Sequence, residues 1–348
     1  MSSFNVYEFF NKISSLNPEI RLDAGQPDIP VDERIIEEAV SSLRRGETGY
    51  TKTSGLDELR ERIAEAEGVE KENVIIGNGS KILIASQVFE ARRIGVISPH
   101  WQAYESMGRK FGKEVKIFKT SLEDGWEPEM EELNVDLLVL NYPHNPTGKI
   151  LPREKLKEIL ELAEENRIRI LSDESYSDIT FKPFTPPREL YENVITVKGF
   201  SKLFSMTGFR LGYAIAQRED VRRMQKFLEI MTTSVPIFIQ RAGIKAIELK
   251  EEIKKKAVKI YRKRADLAVR TLDRMFFEFE EPDGAFYLFV RTKTEGLGFA
   301  ERLLEKGVSV FPGIVFGDYR NFIRISLVSP KLQEGLRRIN ELGEELDG

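Results

Sequence analysis

The chain has 348 residues, of which 41% are hydrophobic and 32% charged, and 53 Lys and Arg against 57 Asp and Glu give a formal net charge of −4. This length suits about two domains, or one large domain with a small appendage, and the charge balance offers no basic field for nucleic acid. The absence of cysteine excludes disulfides, thiolate catalysis and cysteine-ligated metals, and only two histidines disfavour a multi-histidine metal site.

The N-terminal part of the chain is predicted to be an extended, proline-containing arm followed by a helix over residues 32–45. From about residue 55 to residue 250, strand-like and helix-like segments alternate. The predicted strands are residues 74–76, 94–98, 136–140, 168–171, 194–197 and 213–216, and the helices are residues 55–67, 80–90 and 152–166. This alternation predicts an α/β fold with a mostly parallel sheet between helix layers.

The C-terminal part has a different character. Long charged helices follow Pro236 and are predicted to be nearly continuous over residues 245–274. From about Glu278, the predicted strands are residues 286–290, 308–311 and 322–327, and the helices are residues 299–306 and 330–346. This mixture predicts a smaller α+β domain. The predicted division is residues 1–45 as arm and helix of the small domain, 46–260 as the large domain, and 261–348 as the C-terminal small domain.

The hydropathy and the charged-residue content of the whole chain give two further expectations, on location and on heat stability. No apolar run is long enough for a membrane span, and the first residues lack the pattern of a signal peptide, so we expect a cytoplasmic enzyme. The high content of Glu, Lys and Arg without cysteine is typical of heat-adapted proteins. A merely well-solvated surface is the alternative interpretation of that composition.

A lysine-containing segment carries the clearest chemical signal. Lys202 comes directly after a predicted strand, Ser201 precedes it, and Arg210 follows eight residues later among three glycines. An amine, a hydroxyl and a guanidinium at one strand end suit a phosphorylated aldehyde, because the amine forms an imine while the other two groups hold the phosphate. Pyridoxal 5′-phosphate (PLP) is such an aldehyde. A solvated charge pair is the alternative, which the glycine-rich, apolar surroundings disfavour.

Other predicted strands end in residues that suit the same ligand. In open α/β sheets, ligands bind beyond the carboxyl ends of the strands. A helix start can bind phosphate, an indole can stack on a flat ring, a carboxylate can keep a pyridine nitrogen protonated, and an amide or phenol can hydrogen-bond a ring oxygen. The residues in question are Gly79, Ser80, Trp101, Asn145, Asp173 and Tyr176. Each also fits an ordinary cap, turn or core position, but their shared location predicts a single site.

Three motifs resemble those of the fold-type I PLP-dependent aminotransferases of class I/II. They are Asn145-Pro-Thr-Gly148, Asp173-x-x-Tyr176 and the segment from Ser201-Lys202 through Met206, Gly208 and Arg210 to Gly212-Tyr213, in that family's order and spacing. The resemblance covers nearly the whole chain, from Asp23 to Ser326. It implies that family's large PLP-binding domain and smaller α+β domain. It also implies transfer of an amino group from an L-amino acid to a 2-oxo acid by a PLP ping-pong mechanism.

The resemblance further implies a role for each cofactor-binding residue. Lys202 would carry PLP as a Schiff base and then shuttle the substrate proton, while Asp173 would pair with the pyridine nitrogen. Tyr176 and Asn145 would hold the ring oxygen, and Trp101 would stack on the ring. The residues implied for the phosphate are Gly79, Ser80, Lys81, Ser201 and Arg210.

Substrate and partner contacts are implied in the same way. Arg324 matches the arginine that grips the substrate α-carboxylate, Asn145 is implied as a further substrate contact, and Gly25 matches the glycine whose backbone covers the substrate. Tyr50 resembles the tyrosine that reaches the phosphate of the neighbouring subunit, which implies a homodimer with shared sites. The chain departs from the family at Lys81, where many relatives carry a small or acidic residue, and in a shorter segment after Gly79, where we expect a trimmed helix or loop.

Several functions remain open on these motifs. A PLP-dependent decarboxylase or carbon–sulfur lyase would use the same residues, because the cofactor performs the chemistry. Met206-Thr-Gly-Phe-Arg210 favours the aspartate/aromatic branch, whereas Gly77-Asn-Gly-Ser80 and the compact length favour a histidinol-phosphate aminotransferase. A PLP-binding regulator of transcription is disfavoured by the lack of a basic face. We expect the partners to be small molecules, an amino acid and a 2-oxo acid, with no nucleic acid or membrane. No residue pattern identifies the substrate side chain.

Overall fold

The computed structural model describes residues 6–130 and 132–347. The start of the chain, residues 1–5, on which the signal-peptide prediction partly rests, lies outside this range. The strands are β1 (Ile20–Arg21), β2 (Val74–Gly77), β3 (Arg93–Ser98), β4 (Glu114–Lys119), β5 (Leu137–Asn141), β6 (Arg169–Asp173), β7 (Val194–Gly199), β8 (Gly212–Ile215), β9 (Phe277–Glu278), β10 (Tyr287–Thr292), β11 (Val308–Ser309), β12 (Phe311–Pro312) and β13 (Phe322–Ser326). The helices are α1 (Val6–Leu16), α2 (Glu33–Arg44), α3 (Asp57–Glu67), α4 (Ser80–Glu90), α5 (Ala103–Lys110), α6 (Arg153–Glu165), α7 (Arg218–Met231), α8 (Ile237–Glu248), α9 (Lys250–Thr271), α10 (Gly296–Glu305) and α11 (Leu332–Asp347).

A seven-stranded sheet forms the centre of the larger part of the molecule, in the order β2-β8-β7-β6-β5-β3-β4. The strands from β4 through β3, β5 and β6 to β7 are parallel, and β8 runs antiparallel to both of its neighbours. This confirms the predicted α/β fold with a mostly parallel sheet. Because parallel strands end at the same edge, the residues that follow β3, β5, β6 and β7 come together there.

Both faces of this sheet are covered by helices. Along β5, Leu137 and Val139 belong to the core cluster that includes α4, α5 and α7, while Leu138 and Leu140 belong to the cluster that includes α6. All five residues of β5 are buried. A strand that is covered on both sides lacks the polar alternation of a half-exposed strand, which is why its sequence is an unbroken apolar run.

The C-terminal part contains a four-stranded antiparallel sheet in the order β12-β13-β10-β9, on which α10 packs. Several contacts fasten the N-terminal arm to this part. Strand β1 pairs in parallel with β11, so that Ile20 lies opposite Val308. Farther along, Asp28 accepts two hydrogen bonds from Arg264 on α9, at 2.7 and 2.6 Å. The arm therefore returns to elements that lie more than 200 residues away in the chain.

Two secondary-structure predictions were wrong. The helix predicted as nearly continuous over residues 245–274 is divided at Leu249, since α8 packs on α2 and α3 whereas α9 packs on α11. The single strand predicted over residues 308–311 is two short strands on either side of Val310: β11 pairs with the arm, and β12 pairs with β13. Tertiary packing decides both outcomes, because the local sequence contains no breaker.

Other expectations concern connections and domains. The connection after α4 is short, as expected, because α4 ends at Glu90 and β3 begins at Arg93. Helix α2 packs extensively against α8. The division into domains stays a prediction.

Among the described residues, no helix combines the length and apolar character that are needed to cross a bilayer.

A buried ionic cluster joins α3 to the central sheet. Glu67, at the end of α3, accepts hydrogen bonds from Lys198 on β7 at 2.9 and 3.0 Å and from the Tyr213 hydroxyl on β8 at 2.7 Å. Arg188 adds an ion pair with Glu67 at 2.7 Å. Burial alone would raise the pKa of Glu67, but Lys198 and Lys250 hold it below its ordinary value. The cluster therefore keeps Glu67 ionised although its side chain is only 4% exposed.

We expect Lys198→Met to destabilise the protein by about 3–5 kcal/mol, because it leaves buried carboxylates without their central cation. The matched control is Arg218→Met, which removes an ion pair with Glu70 whose two side chains are 58% and 68% exposed. That loss should cost no more than about 1 kcal/mol. The free energy of unfolding from urea titrations measures both changes, and equal effects of the two variants would contradict the importance of the cluster.

Candidate active site

Lys202 lies just beyond the carboxyl end of β7 and points to the N-terminal arm. Its Nζ atom donates a hydrogen bond to the carbonyl oxygen of Gly25 at 2.7 Å and lies 5.7 Å from the centre of the Tyr176 ring. The side chain is half-buried. The structure thus brings together three residues that the sequence predicts for one site, although Gly25 and Lys202 are 177 residues apart.

Gly25 is a position at which only glycine fits. A Cβ atom there would lie 2.0 Å from the hydroxyl oxygen of Tyr287 and 3.6 Å from Lys202 Nζ. The Tyr287 hydroxyl is in turn 2.9 Å from that of Tyr176. Tyr287 is absent from the sequence-based site prediction, since it stands in the strongly apolar segment of β10 and its sequence context is that of a core strand.

Asp173 ends β6 and is the buried acid of the site, with 3% exposure. One carboxylate oxygen accepts a hydrogen bond from the Tyr104 hydroxyl at 2.6 Å, and the other accepts from the hydroxyl and the backbone N–H of Ser175 at 2.6 and 3.1 Å. Burial raises the pKa of Asp173, while these hydrogen bonds and the charge of Lys202 act in the opposite direction. The carboxylate is held in a fixed orientation, so it can stabilise a cationic nitrogen placed against it. Tyr104 is a second residue that the sequence-based prediction missed.

Arg324, on β13, is a buried cation that is 5% exposed. Its guanidinium donates to Oδ1 of Asn145 at 2.8 Å and to the carbonyl oxygen of Asp23. Among the described residues it forms no ion pair, and its Nε atom has no hydrogen-bond partner. The rings of Tyr287 and Phe316 lie 4.2 and 4.8 Å from it. A carboxylate ligand would supply the missing charge and form the paired hydrogen bonds that arginine favours.

The N-terminus of α4 and Arg210 form a second cationic region. Gly79, with φ of 85°, precedes Ser80 at the start of α4. A Cβ atom on Gly79 would lie 2.6 Å from Nη2 of Arg210, and one on Gly212 would lie 2.6 Å from the backbone nitrogen of Ser80. These close approaches place free helix N–H groups beside a guanidinium, an arrangement that suits a phosphate group.

The remaining predicted residues differ in their placement. Trp101 contacts Tyr104 edge-on, with ring centres 5.3 Å apart, and therefore lies next to the Tyr104–Asp173 pair. Lys81 Nζ is 5.3 Å from the centre of the Trp101 ring. Ser201 is half-buried beside Lys202. Tyr50 stands apart: its side chain is 90% exposed.

Comparison with known proteins identifies the family. The family model for aminotransferases of class I and II matches residues 17–339. The chain belongs to this family. It is 57% identical over 338 residues to the aspartate aminotransferase of Thermococcus kodakarensis, covering 97% of this chain and 92% of that protein. The aspartate aminotransferase of Thermotoga maritima is 32% identical over 345 residues, covering 92% and 90%.

Solved structures agree with this assignment. The crystal structure of the Thermotoga maritima aspartate aminotransferase superimposes with a TM-score of 0.92 at 31% identity, covering 98% of this chain and 96% of that one. The fold is therefore that of the fold-type I aminotransferases, as the resemblance implied. This protein is an aminotransferase, which decides between the transaminase and the decarboxylase, lyase and regulator that the motifs left open.

Gly25→Ala should lower kcat/KM for transamination by about a hundredfold, because the new methyl group displaces the arm or Tyr287 by the ångström or so that such positioning tolerates poorly. Gly298→Ala in α10 is the matched control, since its Cβ meets no atom within 4 Å. We expect that control to retain wild-type kinetics. Steady-state assays test both variants, and unimpaired kinetics in Gly25→Ala would refute the close fit at this position.

Proposed function

We propose that this aminotransferase binds PLP through Lys202 and transfers the amino group of L-aspartate to 2-oxoglutarate. The observation that carries the proposal is the buried guanidinium of Arg324, which forms no ion pair within the described part of the chain. It lies close to the same arm residues, 23–25, as Lys202. A carboxylate is the one group common to every amino acid and 2-oxo acid. The arrangement therefore favours substrates of this class.

The donor set fits PLP. The α4 N-terminus and Arg210 would bind its phosphate, and Asp173 would hold the proton of its ring nitrogen. Tyr176 and Asn145 would hydrogen-bond its ring oxygen, and Trp101 would cover one face of the ring. Lys81 and Ser201 are the further phosphate residues of the proposal.

When bound, PLP supplies an electron sink for the charge that develops when Cα loses its proton. The chain's own residues perform the remaining tasks. The Lys202 amine, once free, accepts the Cα proton and returns it, acting first as a general base and then as a general acid. Arg324 and Asn145 orient the carboxylate, and the covering backbone at Gly25 limits the access of water to Lys202. Asp173, buried and hydrogen-bonded, sustains the positive charge of the ring nitrogen.

The choice of aspartate rests on the relative from Thermococcus kodakarensis, which is named for that substrate and is 57% identical to this chain. The Thermotoga maritima relative at 32% identity carries the same name, whereas a Methanocaldococcus jannaschii protein that is 31% identical is named (5-formylfuran-3-yl)methyl phosphate transaminase. The alternative of a histidinol-phosphate aminotransferase has no such support. A cytoplasmic location completes the proposal and fits the absence of a spanning helix among the described residues.

We also propose a homodimer in which Tyr50 enters the site of the partner subunit. Tyr50 is exposed on a loop that is tied to the turn after α7, since the neighbouring Thr51 hydroxyl donates to the Val235 carbonyl at 3.2 Å. Several large apolar side chains of these elements and of α2 are exposed: Val40, Leu43, Ile230 and Met231. Exposed apolar groups mark a protein interface when they form one contiguous patch, and we propose that these four side chains do so.

With added PLP, the purified protein should transaminate L-aspartate and 2-oxoglutarate with a kcat/KM at least about tenfold above that for uncharged amino acids. Lys202→Ala should lower turnover about a thousandfold or more, because the proton-transfer group is gone. Borohydride reduction followed by peptide mass spectrometry should place PLP on Lys202 in the wild type only. A different preferred donor would refute aspartate as the substrate, and PLP trapped on another lysine would refute the proposed anchor.

Tyr50→Ala should weaken PLP retention, since we propose that its hydroxyl binds phosphate across the subunit boundary. Co-expression with Lys202→Ala should then restore about a quarter of wild-type activity after gel filtration in PLP-free buffer, because each hybrid dimer contains one intact site. The control is co-expression of Tyr50→Ala with the double variant Lys202→Ala/Tyr50→Ala, which contains no intact site. Equal activity of the two mixtures would show that Tyr50 does not act across a dimer.

A further inference from the structure

We propose that Tyr287 is a positioning residue that links the carboxylate-binding Arg324 to the ring-oxygen contact of Tyr176. The inference rests on the proposed function, because Arg324 and Tyr176 are both residues of the proposed PLP and substrate site. Tyr287 is 1% exposed and begins β10, the strand that pairs with β13, where Arg324 lies. The Tyr287 side chain therefore contacts both Arg324, which is proposed to bind the carboxylate, and Tyr176, which is proposed to bind the ring oxygen of PLP.

The ring of Tyr287 supports Arg324. It lies 4.2 Å from the guanidinium, closer than the rings of Phe316 at 4.8 Å and Phe311 at 5.2 Å. A cation over a desolvated aromatic face is stabilised by the charge distribution of the ring. Since Arg324 forms no ion pair with the described residues, this face helps to hold the guanidinium in place before a carboxylate arrives.

The hydroxyl of Tyr287 supports Tyr176. The two phenol oxygens are 2.9 Å apart, and either can be the donor. If Tyr287 donates, the proton of Tyr176 is available to the ring oxygen of PLP, and Tyr176 becomes the better donor because it already accepts a hydrogen bond. Burial, followed by the neighbouring Tyr287, raises the pKa of Tyr176 well above its usual value, so that Tyr176 remains protonated at neutral pH.

The same hydroxyl also packs against the backbone at Gly25, which covers Lys202. It occupies the space where a Cβ on Gly25 would lie, a position 3.6 Å from Lys202 Nζ. Packing alone does not require this hydroxyl, because Phe286 and Tyr176 already contact the ring. A phenylalanine would fill the same core volume. The hydroxyl is therefore the part of Tyr287 that packing leaves unexplained, and it can be tested by itself.

The test compares Tyr287→Phe and Tyr287→Leu with the wild type, all loaded with PLP. Two measurements separate the roles: the pH midpoint of the visible absorption band of lysine-bound PLP, and the dissociation constant of maleate, an unreactive dicarboxylate. Tyr287→Phe should raise the midpoint by a few tenths of a pH unit, about 0.3–0.5, because Tyr176 then donates to the ring oxygen without itself accepting a hydrogen bond. Its maleate affinity should change by less than about twofold. Tyr287→Leu should in addition weaken maleate binding about tenfold, because the aromatic face is lost.

Tyr261→Phe is the matched control, since it removes a buried hydroxyl that has no hydrogen-bond partner among the described residues. The Tyr261 ring, like that of Tyr287, contacts Phe286. Tyr261→Phe should change neither measurement. A midpoint in Tyr287→Phe equal to that of the wild type and the control overturns the inference alone, and so does a tenfold loss of maleate affinity in that variant. A wild-type protein that forms no visible band with PLP overturns the proposed function, and the inference with it. Tyr287→Phe keeps the test decisive if Tyr287→Leu fails to fold.

Discussion

The buried positive charge of Arg324 is the constraint on which the site depends. An arginine that is almost excluded from water and lacks an acidic partner is costly to the folded protein. Here the cost is reduced by an amide oxygen of Asn145, a backbone carbonyl of Asp23 and the face of Tyr287. These partners stabilise the guanidinium without neutralising it. We propose that the remaining attraction is available to a carboxylate ligand, so that the cost of burying the charge is offset when the ligand binds.

The residues proposed for proton transfer and those proposed for carboxylate binding come from two different sheets. The central sheet supplies Asp173 and Lys202, because β6 and β7 are parallel neighbours that end at the same edge. The antiparallel C-terminal sheet supplies Arg324 and Tyr287 from paired strands. The N-terminal arm lies between them, with Gly25 bonded to Lys202 and Asp23 bonded to Arg324. A short segment far away in sequence therefore joins Lys202, the proposed proton-transfer group, to Arg324, the proposed carboxylate-binding group.

Much of this arrangement could be predicted from the sequence, since the chemistry is concentrated in short motifs with fixed spacing. The segment around Lys202 and the unbroken apolar run of β5 each carry a local signal. Tyr104 and Tyr287 carry none, because an aromatic residue in a core element has the same sequence context whether or not its hydroxyl bonds a site residue. The break at Leu249 was missed for a related reason: the helices on either side pack on different neighbours, and local propensity does not contain that information.

The arm has unequal attachments on its two sides. Strand pairing between β1 and β11 and the double hydrogen bond between Arg264 and Asp28 hold its ends to the C-terminal part, while one hydrogen bond from Lys202 joins Gly25 to the central sheet. The arm therefore has more contacts with the C-terminal part than with Lys202. A modification that leaves the Lys202 nitrogen without an N–H directed at Gly25 removes the bond to the backbone above it. The contacts of the arm with the C-terminal part, including that of Asp23 with Arg324, do not involve this nitrogen.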